Sequence, residues 1–227
     1  PGKDKIKWFL DYMKQEMNRL EIKVNTGIEV DKETIELESP DSIIVATGAE
    51  PIEPEIKNDK NVLQAWDVLK QEMDIENEEI LVIGGGQVGC DLTEYLLDKN
   101  NKVKILEMLN DIALDMEAIT RFDLLQRFCE EENVTWETNE KVKEINGTKV
   151  RTEKEGEENT YSADKVILAM GSRSQNELAE KLNKEEYNIY LVGDANEPNR
   201  IFEATQSGAE AAISIGNPHK TYSHLYK

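Results

Sequence analysis

The chain has 227 residues, with 27 Lys plus Arg against 47 Asp plus Glu, for a formal net charge of −20 at pH 7. That balance argues against a phosphate-backbone binder, because nucleic-acid affinity comes largely from cationic side chains that displace counterions. A hydrophobic content of 38% with only 13 Gly and 6 Pro excludes collagen-like and low-complexity classes, and the length suits one large domain or two small ones.

Residues 4–20 predict an amphipathic surface helix. Ile6, Phe9, Leu10, Met13, Met17 and Leu20 lie on one inward-packing face, and Asp4 stands where a cap would. The alternating segments EIKVNT (21–26) and TIELES (34–39) predict short strands. DSIIVATG (41–48) is a continuous apolar run ended by Gly48, the pattern of a strand covered on both faces. Glu50-Pro51-Ile52-Glu53-Pro54 breaks regular structure and, with the polar segment to Lys60, predicts a linker between domains. Residues 62–73 predict a short helix.

From Glu78 the pattern becomes strand (Ile80–Ile83), helix (Val88–Leu97), strand (Lys102–Leu106), a βαβ unit. A helix over residues 118–132 leads to a strand over 134–137. Lys141–Ala163, with turns at Asn146-Gly147 and Glu155-Gly156, has the signature of a β-meander. DKVILAM (164–170) repeats the buried-run-then-glycine form of DSIIVATG. Asn188–Val192 predicts a strand ending at Gly193-Asp194, and Phe202–Ile215 a small-residue helix. The last dozen residues, with His219 and His224, predict a tail without a catalytic role.

Cys90 and Cys129 are 39 positions apart, so neither a disulfide framework nor a zinc pattern can be written from them; both are expected to be buried thiols. No apolar run approaches the ~18–20 residues of a membrane span. The chain starts Pro1-Gly2-Lys3, which is expected of a fragment, and a cytoplasmic location is the expectation.

The sharpest motif is Gly84-Gly85-Gly86-Gln87-Val88-Gly89, a GxGxxG between a predicted strand and a predicted helix. In such a loop Gly84 makes the tight turn, Gly86 lets the backbone approach a pyrophosphate, and Gly89 allows close helix–strand packing. The amides and dipole of the helix N-terminus then face the phosphates. Glu107 ends the second strand, 18 positions after Gly89, where a carboxylate accepts from a ribose diol. Met108, Leu109, Asn110 and Asp111 follow with no Arg or Lys, which favours NAD over NADP. The competing reading is a glycine turn that serves packing alone.

Four segments, ATGAEPIEP, VIGGGQVGCDLTEYL, VILAMGSRSQNEL and YLVGDANEPNRIFEATQSGAEAA, resemble in order and spacing the pyridine nucleotide-disulfide oxidoreductase fold. More narrowly they are similar to the C-terminal module of the NADH:flavin oxidoreductases, with 2,4-dienoyl-CoA reductase, trimethylamine dehydrogenase and NADH oxidase flavoenzymes. The resemblance implies an α/β fold: a Rossmann-like three-layer nucleotide-binding domain with a β-meander, residues 62–185, inserted in a partial FAD-binding domain of the same type, residues 1–61 and 186–227. It implies that Gly193 and Asp194 contact FAD, that Ala204, Thr205 and Gln206 at a helix start face the flavin, and that Thr47 and Gly48 line the same site. A capping or turn role competes for Asp194, and a plain turn role for Thr47. Asp91 occupies the place of a family glutamate near the nicotinamide, against the alternative of an exposed helix position. Gly171 is expected to let the nicotinamide end approach the backbone. Arg173 is expected to be a surface residue.

The departures define the expected limits. A second GxGxxG with its ribose acid is missing, so half an FAD site is expected beside a whole NAD site. Two isolated cysteines cannot ligate a four-iron cluster, so FMN and an iron-sulfur cluster would belong to domains beyond this chain. No active-site dithiol, metal set or catalytic constellation is present. The implied function is hydride passage from NADH to FAD and on to FMN in a barrel domain, by a chain inactive alone. The alternative is a non-catalytic module for ADP or NAD. Expected partners are NADH and the barrel domain, with self-association through apolar surface that an incomplete flavin lobe exposes; nucleic acid and membrane are not expected.

Overall fold

A computed structural model describes residues 3–54, 62–71, 73–182 and 187–216. The two histidines, and most of the segment read as a linker, lie outside the described residues. The elements in chain order are α1 (Asp4–Arg19), α2 (Lys32–Glu38), β1 (Ser42–Val45), β2 (Ala49–Pro51), β3 (Leu63–Gln64), α3 (Ala65–Gln71), β4 (Glu79–Ile83), α4 (Gln87–Leu97), β5 (Lys102–Leu106), α5 (Ala118–Glu130), β6 (Val134–Glu137), β7 (Lys141–Asn146), β8 (Lys149–Lys154), β9 (Glu157–Ser162), β10 (Lys165–Leu168), β11 (Ser172–Ser174), α6 (Glu177–Lys181), β12 (Asn188–Leu191) and α7 (Ile201–Gly216), with a single 3₁₀ turn at Gly193–Ala195. The chain divides into two compact units, an inner one of Pro51–Gly171 and an outer one of Lys3–Glu50 with the chain from Ser172 onward.

The inner unit is built on a parallel sheet of order β3-β10-β4-β5-β6. The Ile80–Ile83 run explains why a strand can be apolar without alternation. Ile80 and Val82 belong to the cluster that includes Leu92, Leu96, Leu124 and Phe128 of α4 and α5. Leu81 and Ile83 belong to a second cluster with Ile145 and Val150 of the meander. Successive side chains of a strand point to opposite faces, so a helix layer and a β7-β8-β9 layer each take every second residue. The turn from α4 into β5 is tied by buried Asn101, whose amide donates to Ile75 O (2.7 Å) and Leu96 O (2.8 Å) and accepts from Glu78 N (3.0 Å).

The outer unit pairs β1 with β12 in parallel, and Ala49–Pro51 forms a two-stranded ladder with Ser172–Ser174. The segment around Glu50-Pro51, expected to be free of regular structure, is therefore a short strand, with its proline at the strand end where no ladder donor is needed. The DSIIVATG strand is buried on one face only. Val45 is buried while Ile44 is 42% exposed, because the sheet has two strands and nothing among the described residues covers its second face.

Five other expectations are corrected. TIELES is helical, not extended: Asp31 caps it, its carboxylate accepting from Thr34 N (2.8 Å), and Ser39 ends it in the left-handed region. A six-residue alternation fits either period, and the side-chain cap decides for helix. EIKVNT has no regular structure, since no strand among the described residues pairs with it to take its backbone bonds. Residues 62–73 divide, Leu63–Gln64 pairing with β10 before the helix starts at Ala65. Helix α1 forms as expected, but Lys3 rather than Asp4 is its N-cap and none of its residues is buried, with Trp8 70% exposed. Cys129 is exposed while Cys90 is buried. Its neighbour Phe128 turns into the core, and one step of about 100° around a helix carries Cys129 off that face. No helix of the described residues is long and apolar enough to cross a membrane.

Candidate functional site: the glycine loop of the inner unit

Strand β4 is followed by Gly84, whose amide donates to Leu106 O (2.9 Å) and whose φ is +105°. A side chain there would collide with the carbonyl of Ala169 on the neighbouring strand, so sterics and backbone conformation both require glycine. Five residues on, a Cβ at Gly89 would overlap Gly84 O, which is how α4 can start directly against the strand end. Gly86 is the N-cap of α4 and supplies no side-chain cap. Amides of the first turn are therefore left to acceptors from elsewhere.

Two carboxylates supply such acceptors. Glu107, at the end of β5 and only 6% exposed, accepts from Gly85 N (2.5 Å) through one oxygen and from Leu109 N (2.7 Å) through the other. Asp115 accepts from Gln87 N through both oxygens, each at 2.9 Å. Asp115 belongs to the loop between β5 and α5, which is pinned by Ala113 N donating to Gly85 O (2.6 Å), with Ala113 in the left-handed region at φ 56°. Gly85, Gly86, Glu107, Leu109, Asp111, Leu114 and Asp115 line a cavity of about 350 Å³. A larger cavity of about 710 Å³ adjoins the loop and includes Gly84, Gly86, Glu107, Met108, Leu109 and Gly171 in its lining. Gln87, Val88 and Asp91 lie in α4.

The carboxylates of Asp115, Asp91 and Glu107 add to burial in pushing the Cys90 thiol up to about 12. Its Sγ donates to Gly85 O at 3.4 Å. Thiolate, not thiol, is the nucleophile, so Cys90 is an inert packing residue behind the loop.

Three features of this site were not readable in the motif. Asp115 is one. Arg121 of α5 is another: it bonds the Asp111 carboxylate and Ile112 O (3.1 Å), so a cation does stand near the loop but is already engaged. Glu140, 2% exposed beside the larger cavity, gathers Thr152, Asn159 (3.0 Å) and Tyr161 (2.9 Å), while its amide donates to Glu107 O (2.9 Å). Burial, then the Glu140 carboxylate, raises the Tyr161 phenol well above its ordinary value.

The second set of sequence candidates lies in the outer unit, after the ends of β1 and β12. The Thr47 hydroxyl donates to Gln175 O, and Gly48, at φ +80°, accepts from Gln175 N (2.9 Å). Gly193 N donates to Ser207 Oγ (2.9 Å), and a Cβ at Gly193 would touch Ala204 at 3.3 Å. Asp194 accepts from Asn199 N (3.2 Å), a turn contact. Thr205 turns its hydroxyl back to Ile201 O (3.0 Å) and Phe202 O (2.9 Å), and Gln206 bonds Glu210 (2.9 Å). Arg173 is largely exposed and paired with Glu50, whose carboxyl is held below its ordinary range by Gln175 and then by Arg173.

A parallel sheet with a glycine turn opening a helix, and an acid ending the next strand, defines a Rossmann-type dinucleotide-binding fold. The comparisons narrow the class. Residues 2–208 match the family described as pyridine nucleotide-disulphide oxidoreductase, and the chain belongs to that family. It is 43% identical to an NADH oxidase of Thermoanaerobacter brockii over 95% of this chain and 34% of the relative. It is 33% identical to a bilirubin reductase of Mediterraneibacter gnavus over 87% of this chain and 31% of that protein. Among solved structures, 2-naphthoyl-CoA reductase in complex with 2-naphthoyl-CoA superposes with a TM-score of 0.77 at 26% identity, covering 87% of this chain and 30% of that one. Histamine dehydrogenase from Rhizobium sp. 4-9 shares the fold at a TM-score of 0.79 and 16% identity, covering 96% and 37%. The chain thus spans about a third of the length of the curated relatives it matches. The family is one of oxidoreductases that work with a pyridine nucleotide and FAD.

Proposed function

We propose that this chain is the nucleotide-binding module of an NADH-dependent flavin oxidoreductase, with NADH on a lobe of residues 62–185 and half of an FAD site on residues 1–61 and 186–227. The observation that carries this reading is Glu107, held at the rim of a glycine loop whose helix N-terminus opens beside a cavity of about 710 Å³. A carboxylate has about four lone-pair sites; Glu107 uses two on Gly85 and Leu109, leaving acceptors for the two hydroxyls of an adenosine ribose. Gly84, Gly85, Gly86, Gln87, Val88 and Gly89 bring backbone amides to the pyrophosphate, Gly171 leaves the nicotinamide end room, and Asp91 is the candidate beside it. Thr47, Gly48, Gly193, Asp194, Ala204 and Thr205 are the candidates for the flavin.

Bound together, these cofactors supply hydride transfer from nicotinamide to flavin, with FMN in a barrel domain outside this chain as the next acceptor. The chain's own contribution is binding and orientation, which such a transfer needs more than an acid or base. The similarity to a protein named NADH oxidase supports NADH as donor. A second reading, a non-catalytic module for an adenine nucleotide such as ADP, is favoured by one observation: the hydroxyls of Thr47 and Thr205 are engaged with neighbouring backbone. Titration with NADH, NADPH, ADP and FAD separates the two. NADH bound more tightly than ADP and NADPH supports the first; ADP bound as tightly as NADH sinks it.

A further inference from the structure

The amide of Gln87, in the first turn of α4, faces the position where the motif sets a pyrophosphate. In this structure that amide donates to a carboxylate of the same chain, Asp115, at 2.9 Å to each oxygen. Asp115 also fills the space in front of Gly86, where an added Cβ would lie 3.1 Å from its Oδ2. A carboxylate presents the same chemistry as a phosphate here: an anionic oxygen accepting from an N–H at the positive end of a helix. We propose that Asp115 is an intramolecular stand-in for the pyrophosphate, a specificity residue that occupies the anion seat until a dinucleotide displaces it. This rests on the nucleotide reading given above.

The neighbouring geometry allows the exchange. Ala113, two residues before Asp115, is fixed to Gly85 O, and Glu117, two residues after it, caps α5 by accepting from Ile119 N (2.9 Å) and Thr120 N (3.3 Å). With both flanks anchored, rotation of the Asp115 side chain empties the seat without moving the loop. Among the described residues no ion pair holds Asp115 in place, and Arg121 is engaged with Asp111 and Ile112 O. Glu107 and Asp111 line the same cavity, so the seat has a negative rim.

The consequence is selectivity by number of contacts. A bare anion gains only the amides and meets three carboxylates, and it cannot unseat Asp115. A dinucleotide also engages Glu107 and the larger cavity beside the loop, so it can. Apparent affinity is reduced by the fraction of molecules whose seat is filled.

The test is isothermal titration of the full chain with NADH, ADP and adenosine, comparing wild type with Asp115→Ala and Asp115→Asn. Each titration is repeated with millimolar inorganic phosphate. The expected result is about tenfold tighter NADH and ADP binding in Asp115→Ala, adenosine unchanged within twofold, and NADH binding that becomes sensitive to phosphate only in the variants. Asp115→Asn, which keeps the acceptor and the fold but not the charge, falls between. Weaker binding of NADH and adenosine alike would make Asp115 a loop clasp and overturn the inference while leaving the nucleotide reading intact. So would unchanged affinity and no phosphate sensitivity in Asp115→Asn. A wild-type chain that binds neither NADH nor ADP would overturn both.

Discussion

Gly89→Ala tests the packing that makes the site. The added methyl would lie against Gly84 O, closer than a Cβ approaches backbone, with Ala169 Cβ a further 3.4 Å contact. Backbone cannot yield as a side-chain tip can, so α4 must move away from β4. Overpacking of this kind costs about 1–3 kcal/mol or more. Alanine's helix propensity returns at most about 1 kcal/mol. The expected net loss is about 2 kcal/mol, a fall in Tm of roughly 4–8 °C at this chain length. Gly208→Ala is the matched control: it lies in α7, nothing stands within 4 Å of its added Cβ among the described residues, and a gain of about 0.5–1 kcal/mol is expected. Scanning calorimetry reads both. A Gly89→Ala chain as stable as wild type would refute the close approach of α4 to the strand end, and with it the placing of the loop amides.

Two further predictions follow from buried groups. The Cys90 thiol sits at about 12, raised from 9.0 chiefly by burial. In the unfolded chain it ionises first, so stability is whole below about pH 9 and falls through pH 12, by on the order of 4 kcal/mol. Cys90→Ala should flatten the urea midpoint measured across that window relative to wild type; parallel curves would contradict the burial. Glu140→Ala strands Thr152, Asn159 and Tyr161 in the meander, at about 3 kcal/mol by urea denaturation, whereas Glu140→Gln keeps one acceptor and loses less. Equal losses in the two would show that the carboxylate is not the hub.

The inner sheet was legible in the sequence because its strands obey a rule that one chain carries in itself. Residues such as Ile80–Ile83 are apolar throughout only when both faces are covered, and Gly147 and Gly156 mark the meander turns, both with positive φ. The glycine loop was legible because the spacing of its glycines between a strand and a helix is itself the signal, although the contacts that require them reach from Gly89 back to Gly84 and from Gly84 across to Ala169. What escaped depends on partners far along the chain. Asp115 reaches Gln87 across 28 positions and only because Ala113 holds a left-handed turn, a conformation with no residue-type signature at alanine. Arg121 was missed because charge was read along β5's exit, whereas α5 brings it back in space. In the outer unit, alternation in TIELES was too short to set a period, and the Asp31 cap with Thr34 was the available signal.

The central claim is that NADH is held by the loop amides beside Glu107. Amide chemical-shift mapping of the ¹⁵N-labelled chain tests it most directly. The account predicts that NADH shifts Gly85, Gly86, Gln87, Val88 and Leu109, with NADPH leaving them nearly unmoved at the same concentration. Shifts confined to residues 42–50 and 188–207, or larger shifts at the loop with NADPH than with NADH, would contradict it.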